Sequence, residues 1–341
     1  MAQIPFFKPA LFRKDMDAVL QTMVDEKIGP GEKKRAFVKA FSQYTSKRDG
    51  VALRSYIDAL CVAFHALGLG EGDAVAMSVF TPLVYLDAMK RLGLKSTLVD
   101  VDDEMMPSAE AVAAVLDEGV KALVLFHPLG NIPSDGDKFR ELGLPIIEDI
   151  TQSVGSSFGG MGPGRIGNIV IASTEEDSIV STAGGAVVMC DNEETVEIMK
   201  KDVNPYIELP DLNAALGIVQ LLKLESIVLR RSNIYKLYAD EARRKGRVKV
   251  FGPGGTEFVS NGYGFSCITQ DRPDDVVEVA KKYSVTVRKT FSKAVGSRYQ
   301  ERYDRFPNAF PYLSRAVSFP LYPFLSNAEI QTVQKVIGIM R

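Results

Sequence analysis

Between residues 51 and 188 the chain repeats one pattern, a short apolar run followed by a longer amphipathic stretch, and this pattern limits the fold more than anything else in the sequence. The runs at 51–53, 74–79, 97–100, 122–126, 145–148, 169–172 and 186–189 read as strands. They are nearly continuous in apolar residues, as strands buried on both faces are, and do not alternate with polar positions. Stretches at 55–67, 81–92, 108–116 and 138–142 read as helices. Strands of that kind alternating with helices predict an α/β fold with a mostly parallel, seven-stranded sheet.

The chain has 341 residues, enough for a large domain and a smaller one. Residues 211–245 read as one long helical stretch, with Leu212, Leu216, Val219, Leu222 and Leu224 forming an apolar stripe. Beyond Gly246 the pattern changes to strands at 248–251, 263–269 and 285–288 and helices at 274–283 and 327–339. The expected division is therefore a large α/β domain over 1–225 and a small α+β domain over 226–341. Glycine-rich segments at 158–167 and 252–255 read as loops.

Apolar content of 46% and charged content of 25% are those of an ordinary globular protein, and a net charge of −2 exerts no general pull on nucleic acid or membrane. Cys61, Cys190 and Cys267 are scattered among apolar neighbours, which predicts reduced thiols and no metal spacing. The N-terminus has no signal-peptide pattern and no apolar run reaches bilayer length, so a cytoplasmic location is expected. His65 and His127 are the only histidines, which leaves little for a histidine triad or metal site.

Several segments, in order, resemble the DegT/StrS-type sugar aminotransferases. Ile4-Pro5-Phe6-Phe7-Lys8-Pro9 is similar to the opening I-P-x-x-K/R-P, and Leu67-Gly68-Leu69-Gly70-Glu71-Gly72-Asp73 to A-L-G-I-G-P-G-D. Leu98-Val99-Asp100-Val101-Asp102 resembles F-V-D-I-D, and His127-Pro128-Leu129-Gly130 resembles H-L-Y-G. Ile147-Glu148-Asp149-Ile150-Thr151-Gln152-Ser153 resembles I-E-D-A-A-Q-A, and Leu209-Pro210-Asp211-Leu212-Asn213-Ala214-Ala215 resembles L-x-E-L-Q-A-A. Gly167-Asn168-Ile169, then Ser173, then Gly184-Gly185-Ala186-Val187-Val188 follow G-D-I, S-F-x-x-x-K and G-G-x-V-V. The resemblance covers almost the whole chain. It implies the fold type I transaminase architecture, pyridoxal phosphate or pyridoxamine phosphate as cofactor, and a homodimer with the active site at the subunit interface.

The same comparison shows what has changed. Ser178 stands where the family lysine bonds covalently to pyridoxal phosphate, and a hydroxyl cannot form a Schiff base. The phosphate cradle S-G-T-x-A-L corresponds to Ser55-Tyr56-Ile57-Asp58-Ala59-Leu60, where Tyr56 fills space, Ile57 lacks a donor and Asp58 adds repulsion. The partner-subunit segment N-Y-R-L corresponds to Tyr206-Ile207-Glu208-Leu209, so an anion clamp has become a carboxylate. Thr81 is kept, but the next position, often an aromatic stacked on the ring, is Pro82. Asp149 matches the aspartate that pairs with the pyridinium nitrogen, Gln152 a glutamine beside the ring, and Ser173 a serine near the phosphate. With Ser55 and Thr81 these are the cofactor-binding positions the resemblance implies. Glu175-Glu176-Asp177 reads first as a solvated loop, and alternatively as a site re-tuned toward a cation or amine. His127 is open between a site role and packing under the sheet edge, and His65 reads as structural. Lys8, Lys289 and Lys293 are the other lysines considered as substitutes for the lost one.

The leading expectation is a family member without lysine-based transamination. It would be retained as a ligand-binding or partner subunit in sugar or polysaccharide biosynthesis, with a nucleotide-sugar or a small amine as ligand and an active paralogue as a partner. The alternative is a sugar-nucleotide aminotransferase or dehydratase that holds its cofactor non-covalently.

Overall fold

The computed structural model describes residues 2–246, 248–251, 257–299 and 303–340; the glycine-rich loop expected at 252–255 lies outside them. The large sheet contains β1 (Asp49–Leu53), β2 (Ala74–Ser78), β3 (Lys95–Val99), β4 (Val120–Phe126), β5 (Ile146–Asp149), β7 (Ile169–Ser173) and β8 (Ala186–Cys190), and β6 (Ser157–Phe158) lies outside it. The order across the seven strands is β1-β8-β7-β5-β4-β2-β3. The pairs from β7 through β3 are parallel, while β8 runs antiparallel to both β7 and β1. The architecture expected from the sequence is thus present, with one reversed strand.

Side-chain alternation places apolar groups on both faces. Ala122, Val124 and Phe126 of β4 point into one core and Leu123 and Leu125 into another. Ala186 and Val188 of β8 face the first core, and Val187 and Met189 face a third. Helices α2 (Glu32–Thr45), α3 (Tyr56–Ala66), α4 (Val84–Leu92), α5 (Ala109–Ala113), α6 (Asp137–Arg140) and α7 (Glu193–Asp202) flank the sheet, and α1 (Arg13–Val24) packs on the helix over Asp211–Leu222.

The expected helix at 81–92 begins only at Val84. Pro82 lacks an N–H and biases the residue before it away from helical geometry. The segment instead pairs with the chain near Ala294: Leu83 donates to the Lys293 carbonyl at 2.9 Å, and Thr81 accepts from Val295 at 2.8 Å. The long stretch over 211–245 is two helices, α8 (Asp211–Leu222) and α9 (Leu224–Lys245), bent by 62° at Lys223. An apolar stripe reports which side is buried and cannot report a bend. Among the described residues no single helix is long and apolar enough to cross a membrane.

The smaller sheet orders β12 (Arg288–Lys289), β13 (Ala316–Phe319), β11 (Phe265–Ile268) and β9 (Lys249–Val250), all antiparallel, and β10 (Phe258–Val259) pairs with β6. Helices α10 (Pro273–Lys282), α11 (Phe310–Arg315) and α12 (Asn327–Ile339) complete this part. Its core joins Ile234 and Tyr238 of α9 to Phe265, Phe319 and Val333, and Ile4 from the other end of the chain packs into it. Ile4 also bonds to this part through its backbone, its N–H donating to the Ser284 carbonyl at 2.8 Å.

Glu148 ties the glycine-rich loop to the sheet. Its buried carboxylate accepts from the backbone N–H groups of Gly164 (2.8 Å), Ile166 (2.7 Å) and Gly167 (2.7 Å). Replacing it by Ala leaves three buried donors without an acceptor, and each such loss costs about 1–3 kcal/mol. Glu148→Ala is expected to lower unfolding free energy in urea by ~3 kcal/mol or more, and Glu148→Gln, which keeps one acceptor, by clearly less.

Candidate functional site

The site lies at the carboxyl ends of β4, β5 and β7, the usual place for ligands in an open parallel sheet. Parallel pairing sets Asp149 beside Phe126 on one side and Ile171 on the other. Glu148 and Asp149 are neighbours on one strand, so their side chains leave opposite faces. Glu148 turns to the glycine-rich loop and Asp149 to the face covered by α3 and α4.

On that face Asp149 is fully buried. The Tyr56 hydroxyl, from the first turn of α3, donates a short hydrogen bond to Asp149 Oδ2. The Tyr85 hydroxyl, from the first turn of α4, donates to the same oxygen at 2.7 Å. Oδ1 accepts the Thr151 backbone N–H at 2.9 Å. The two phenol rings meet edge to face, 6.1 Å between centroids. Burial raises the Asp149 carboxyl above the ordinary aspartate range, and the bonds from Thr151 and Tyr56 oppose that rise. Burial first and the Asp149 charge second push both phenols well above their usual range, so they remain donors at neutral pH.

In front of these groups lies a cavity of about 410 Å³ with largely apolar walls that include Tyr56, Phe80, Phe126, Leu129, Tyr263 and Phe291. Gln152, Ser173, Glu175, Asp177 and Lys293 supply polar groups. Through Gln152, Glu175, Asp177, Tyr263 and Lys293 it adjoins an outer cleft of about 570 Å³ that adds Glu176, Arg288 and Lys289. Buried Arg231 shapes the shared wall: its guanidinium donates to the carbonyls of Gly262 (3.0 Å) and Tyr263 (2.8 Å). Asn261 locks the turn after β5 by donating to the carbonyls of Gln152 and Val154, each at 2.8 Å.

The positions singled out in the sequence have separate fates. Gln152 lines the cavity and its Oε1 accepts the Leu129 N–H at 2.7 Å. Ser173 also lines it, its hydroxyl accepting from the Glu175 N–H at 3.3 Å. Thr81 is buried with its hydroxyl unpartnered among the described residues and does not line the cavity. Ser55 caps α3: its hydroxyl accepts from the Asp58 N–H at 3.2 Å and donates to the Asp58 carboxylate at 2.5 Å. Ser178 is 9% exposed in the loop between β7 and β8 and does not line the cavity. His127 takes the packed alternative, fully buried with Nδ1 3.0 Å from the Ser153 hydroxyl; burial lowers its pKa.

The acidic run divides. Glu176 and Asp177 are exposed, as a solvated loop predicts, but Glu175 is half-buried and both Glu175 and Asp177 face the cavity. Glu175 Oε1 accepts the Tyr56 backbone N–H at 3.4 Å, at the start of α3. Burial raises the Glu175 carboxyl, and the backbone N–H of Tyr56 opposes the rise. Glu208 is ion-paired within its own chain to Lys34 at 2.6 Å. Of the other lysines, Lys8 lies 5.7 Å from the Tyr322 ring centroid, Lys289 pairs with Asp274 at 2.9 Å, and Lys293 reaches the cavity wall. Tyr85 escaped sequence reasoning because it lies in an apolar stretch that reads as ordinary core, and Tyr263 and Phe291 because each is a single aromatic among polar residues and glycines, with no motif around it.

These groups do not fit the coenzyme that the resemblance implies. Asp149, matched to the aspartate that pairs with a pyridinium nitrogen, already accepts two phenols at Oδ2. The Ser55 hydroxyl, a cofactor-binding group by the resemblance, is engaged with Asp58, and the Tyr56 N–H that opens the same helix is engaged with Glu175.

A raised folded-state pKa for Asp149 means that the native protein binds more protons than the unfolded chain above the ordinary aspartate value of 3.8. Its ionisation therefore lowers stability as pH rises through that window. Asp149→Asn lacks this loss, so its melting temperature relative to the parent is expected to be higher at pH 7 than at pH 4. Tyr85→Phe, which removes a donor from the carboxylate, is expected to shift the opposite way in the same thermal scans.

The fold has close structural counterparts. The Spr1654 protein of Streptococcus pneumoniae, assigned as a sugar aminotransferase and solved in PMP and PLP forms, superposes with a TM-score of 0.89 at 19% identity, over 98% of this chain, in its PMP form covering 97% of that chain. The Helicobacter pylori aminotransferase PseC, involved in pseudoaminic acid biosynthesis, gives 0.89 at 15% identity over 98% of each chain. DesV of S. venezuelae, solved in complex with a ketimine intermediate, gives 0.88 at 21% identity over 99% of this chain and 98% of its own. The model of the DegT/DnrJ/EryC1/StrS aminotransferase family matches residues 10–338, and the chain belongs to that family.

Proposed function

We propose that this member has lost lysine-bound transamination and acts as a ligand-binding or partner subunit in sugar or polysaccharide biosynthesis. The observation that carries this reading is Ser178. By the resemblance the family's lysine position holds a hydroxyl, and no histidine is near it in sequence to activate an oxygen nucleophile. The inner cavity holds one amine, that of Lys293, which comes from the C-terminal part of the chain. It carries no ion pair or side-chain hydrogen bond among the described residues and sits in no family motif, so it is the residue to watch in any test for covalent capture. The competing reading, non-covalent use of PLP or PMP, finds support in Gln152 and Ser173 on the cavity wall.

Incubation of the protein with pyridoxal phosphate followed by borohydride is expected to leave intact mass unchanged, and no amino transfer to a nucleotide-linked keto-sugar is expected. A reduced adduct mapped to Lys293, or turnover, removes the reading.

The proposal includes a second copy of the chain as partner. On α1, Met16, Leu20 and Met23 recur at helical spacing on an outer face, with Leu20 57% and Val24 73% exposed. Covering such side chains gains about 1.5–3 kcal/mol each. Light scattering after gel filtration is expected to give a dimer that Leu20→Asp with Met23→Glu converts to monomer. A monomeric parent that pairs only with an active relative points to the paralogue instead.

A further inference from the structure

Cofactor loss and cofactor exclusion are different properties. A chain without the lysine can still bind PMP loosely if the ring and phosphate positions stay open. In this chain both ends are held by its own side chains.

At the helix end, α3 begins at Tyr56, and a helix N-terminus carries unpaired N–H groups and partial positive charge. The Tyr56 N–H points to Glu175 Oε1 at 3.4 Å, and the Ser55 hydroxyl is 2.5 Å from Asp58 Oδ2. Two carboxylates therefore occupy the donors that would otherwise attract an anion, and a phosphate dianion entering there meets both negative charges. At the sheet end, Tyr56 and Tyr85 both donate to Asp149 Oδ2, and the Tyr56 ring forms part of the cavity wall. Tyr56 links the two ends, with its N–H on Glu175 and its hydroxyl on Asp149.

We propose that Tyr56 and Glu175 together act as a built-in occupant of the ancestral coenzyme site, the phenol in place of the ring and the carboxylate in place of the phosphate. The chain then excludes PLP and PMP even as loose ligands, and the cavity in front of them is left for a different molecule. This deepens the reading above and rests on it: that reading says the covalent chemistry is gone, and this one says that two named side chains close the site. An entering coenzyme has to break the phenol and backbone bonds and take the Tyr56 N–H from Glu175. Such charge-assisted bonds in a partly buried site are not replaced at equal strength.

Calorimetry and equilibrium dialysis with PMP and with inorganic phosphate test this on the full chain. The parent is expected to show no PMP binding up to about 1 mM. Glu175→Gln is expected to gain measurable phosphate binding, and Tyr56→Ala with Glu175→Gln to bind PMP about tenfold or more tighter than either single variant. Tyr56→Phe with Glu175→Gln keeps the ring in place and should stay as weak as Glu175→Gln alone. Circular dichroism and melting curves establish that each variant is folded. If Tyr56→Ala does not fold, the phosphate response of Glu175→Gln decides, and its absence overturns the proposal. PMP binding by the parent as tight as by the double variant overturns it too, while the proposed function stands. Failure of a folded double variant to bind has the same meaning. Parent binding accompanied by amino transfer defeats both.

Discussion

A carboxylate buried at the end of a central parallel strand has to be met by donors, and that requirement governs the site. Asp149 has no contact with solvent and is met by the Tyr56 and Tyr85 phenols and by the backbone N–H and side chain of Thr151. An unmet buried charge costs several kcal/mol. Whatever occupies this face must therefore offer hydrogen to Asp149. In a coenzyme-binding relative a protonated ring nitrogen can do so; here Tyr56 and Tyr85 do, so the aspartate can persist without a cofactor. Retention of Asp149 is thus a statement about the strand end and is not by itself evidence of a working coenzyme site.

Glu148 and Asp149 show how fold and chemistry can separate. They are adjacent, both buried, and face opposite sides of the sheet. Glu148 fixes the glycine-rich loop through three backbone bonds that involve no ligand. The layers of apolar residues on both faces are likewise independent of Ser178, Ser55 or the acidic run. These supports do not depend on the residues at positions 55 or 178, and a chain at 15–21% identity to the three relatives above superposes at TM-scores of 0.88–0.89.

Much of the fold was legible because strands buried on both faces leave continuous apolar runs, and the seven runs read from the sequence are the seven strands of the large sheet. The helix starting at Asn327 was also readable, since Ser326 and Glu329 form a capping box. What stayed hidden depends on contacts distant in sequence. The bend at Lys223, the pairing of the Thr81–Leu83 segment with the chain near Ala294 and strand β13 are each settled by tertiary packing. In the site, Asp149, Gln152 and Ser173 were found through motif position, but Tyr85 gave no signal. A tyrosine among Leu83, Val84 and Leu86 looks like core until its hydroxyl is seen on a carboxylate 64 residues away. Tyr56 was read as an obstruction; its hydrogen bond to Asp149 required the geometry.

The charges around the cleft follow the same logic. Glu175, the most enclosed of the acidic run, is the one whose carboxylate meets a helix N-terminus, where partial positive charge offsets its burial. Asp177 and Glu176 remain exposed, and Arg288, Lys289 and Lys293 line the same outer cleft. Negative charge therefore lies on the loop after β7 and positive charge on the segment around β12, with an apolar chamber beneath. A ligand suited to this chamber presents an apolar body inward and polar groups of either sign outward. A doubly charged phosphate carried to the base of the cavity is the reverse of that distribution, which gives the proposed exclusion an electrostatic ground separate from the hydrogen bonds of Asp149.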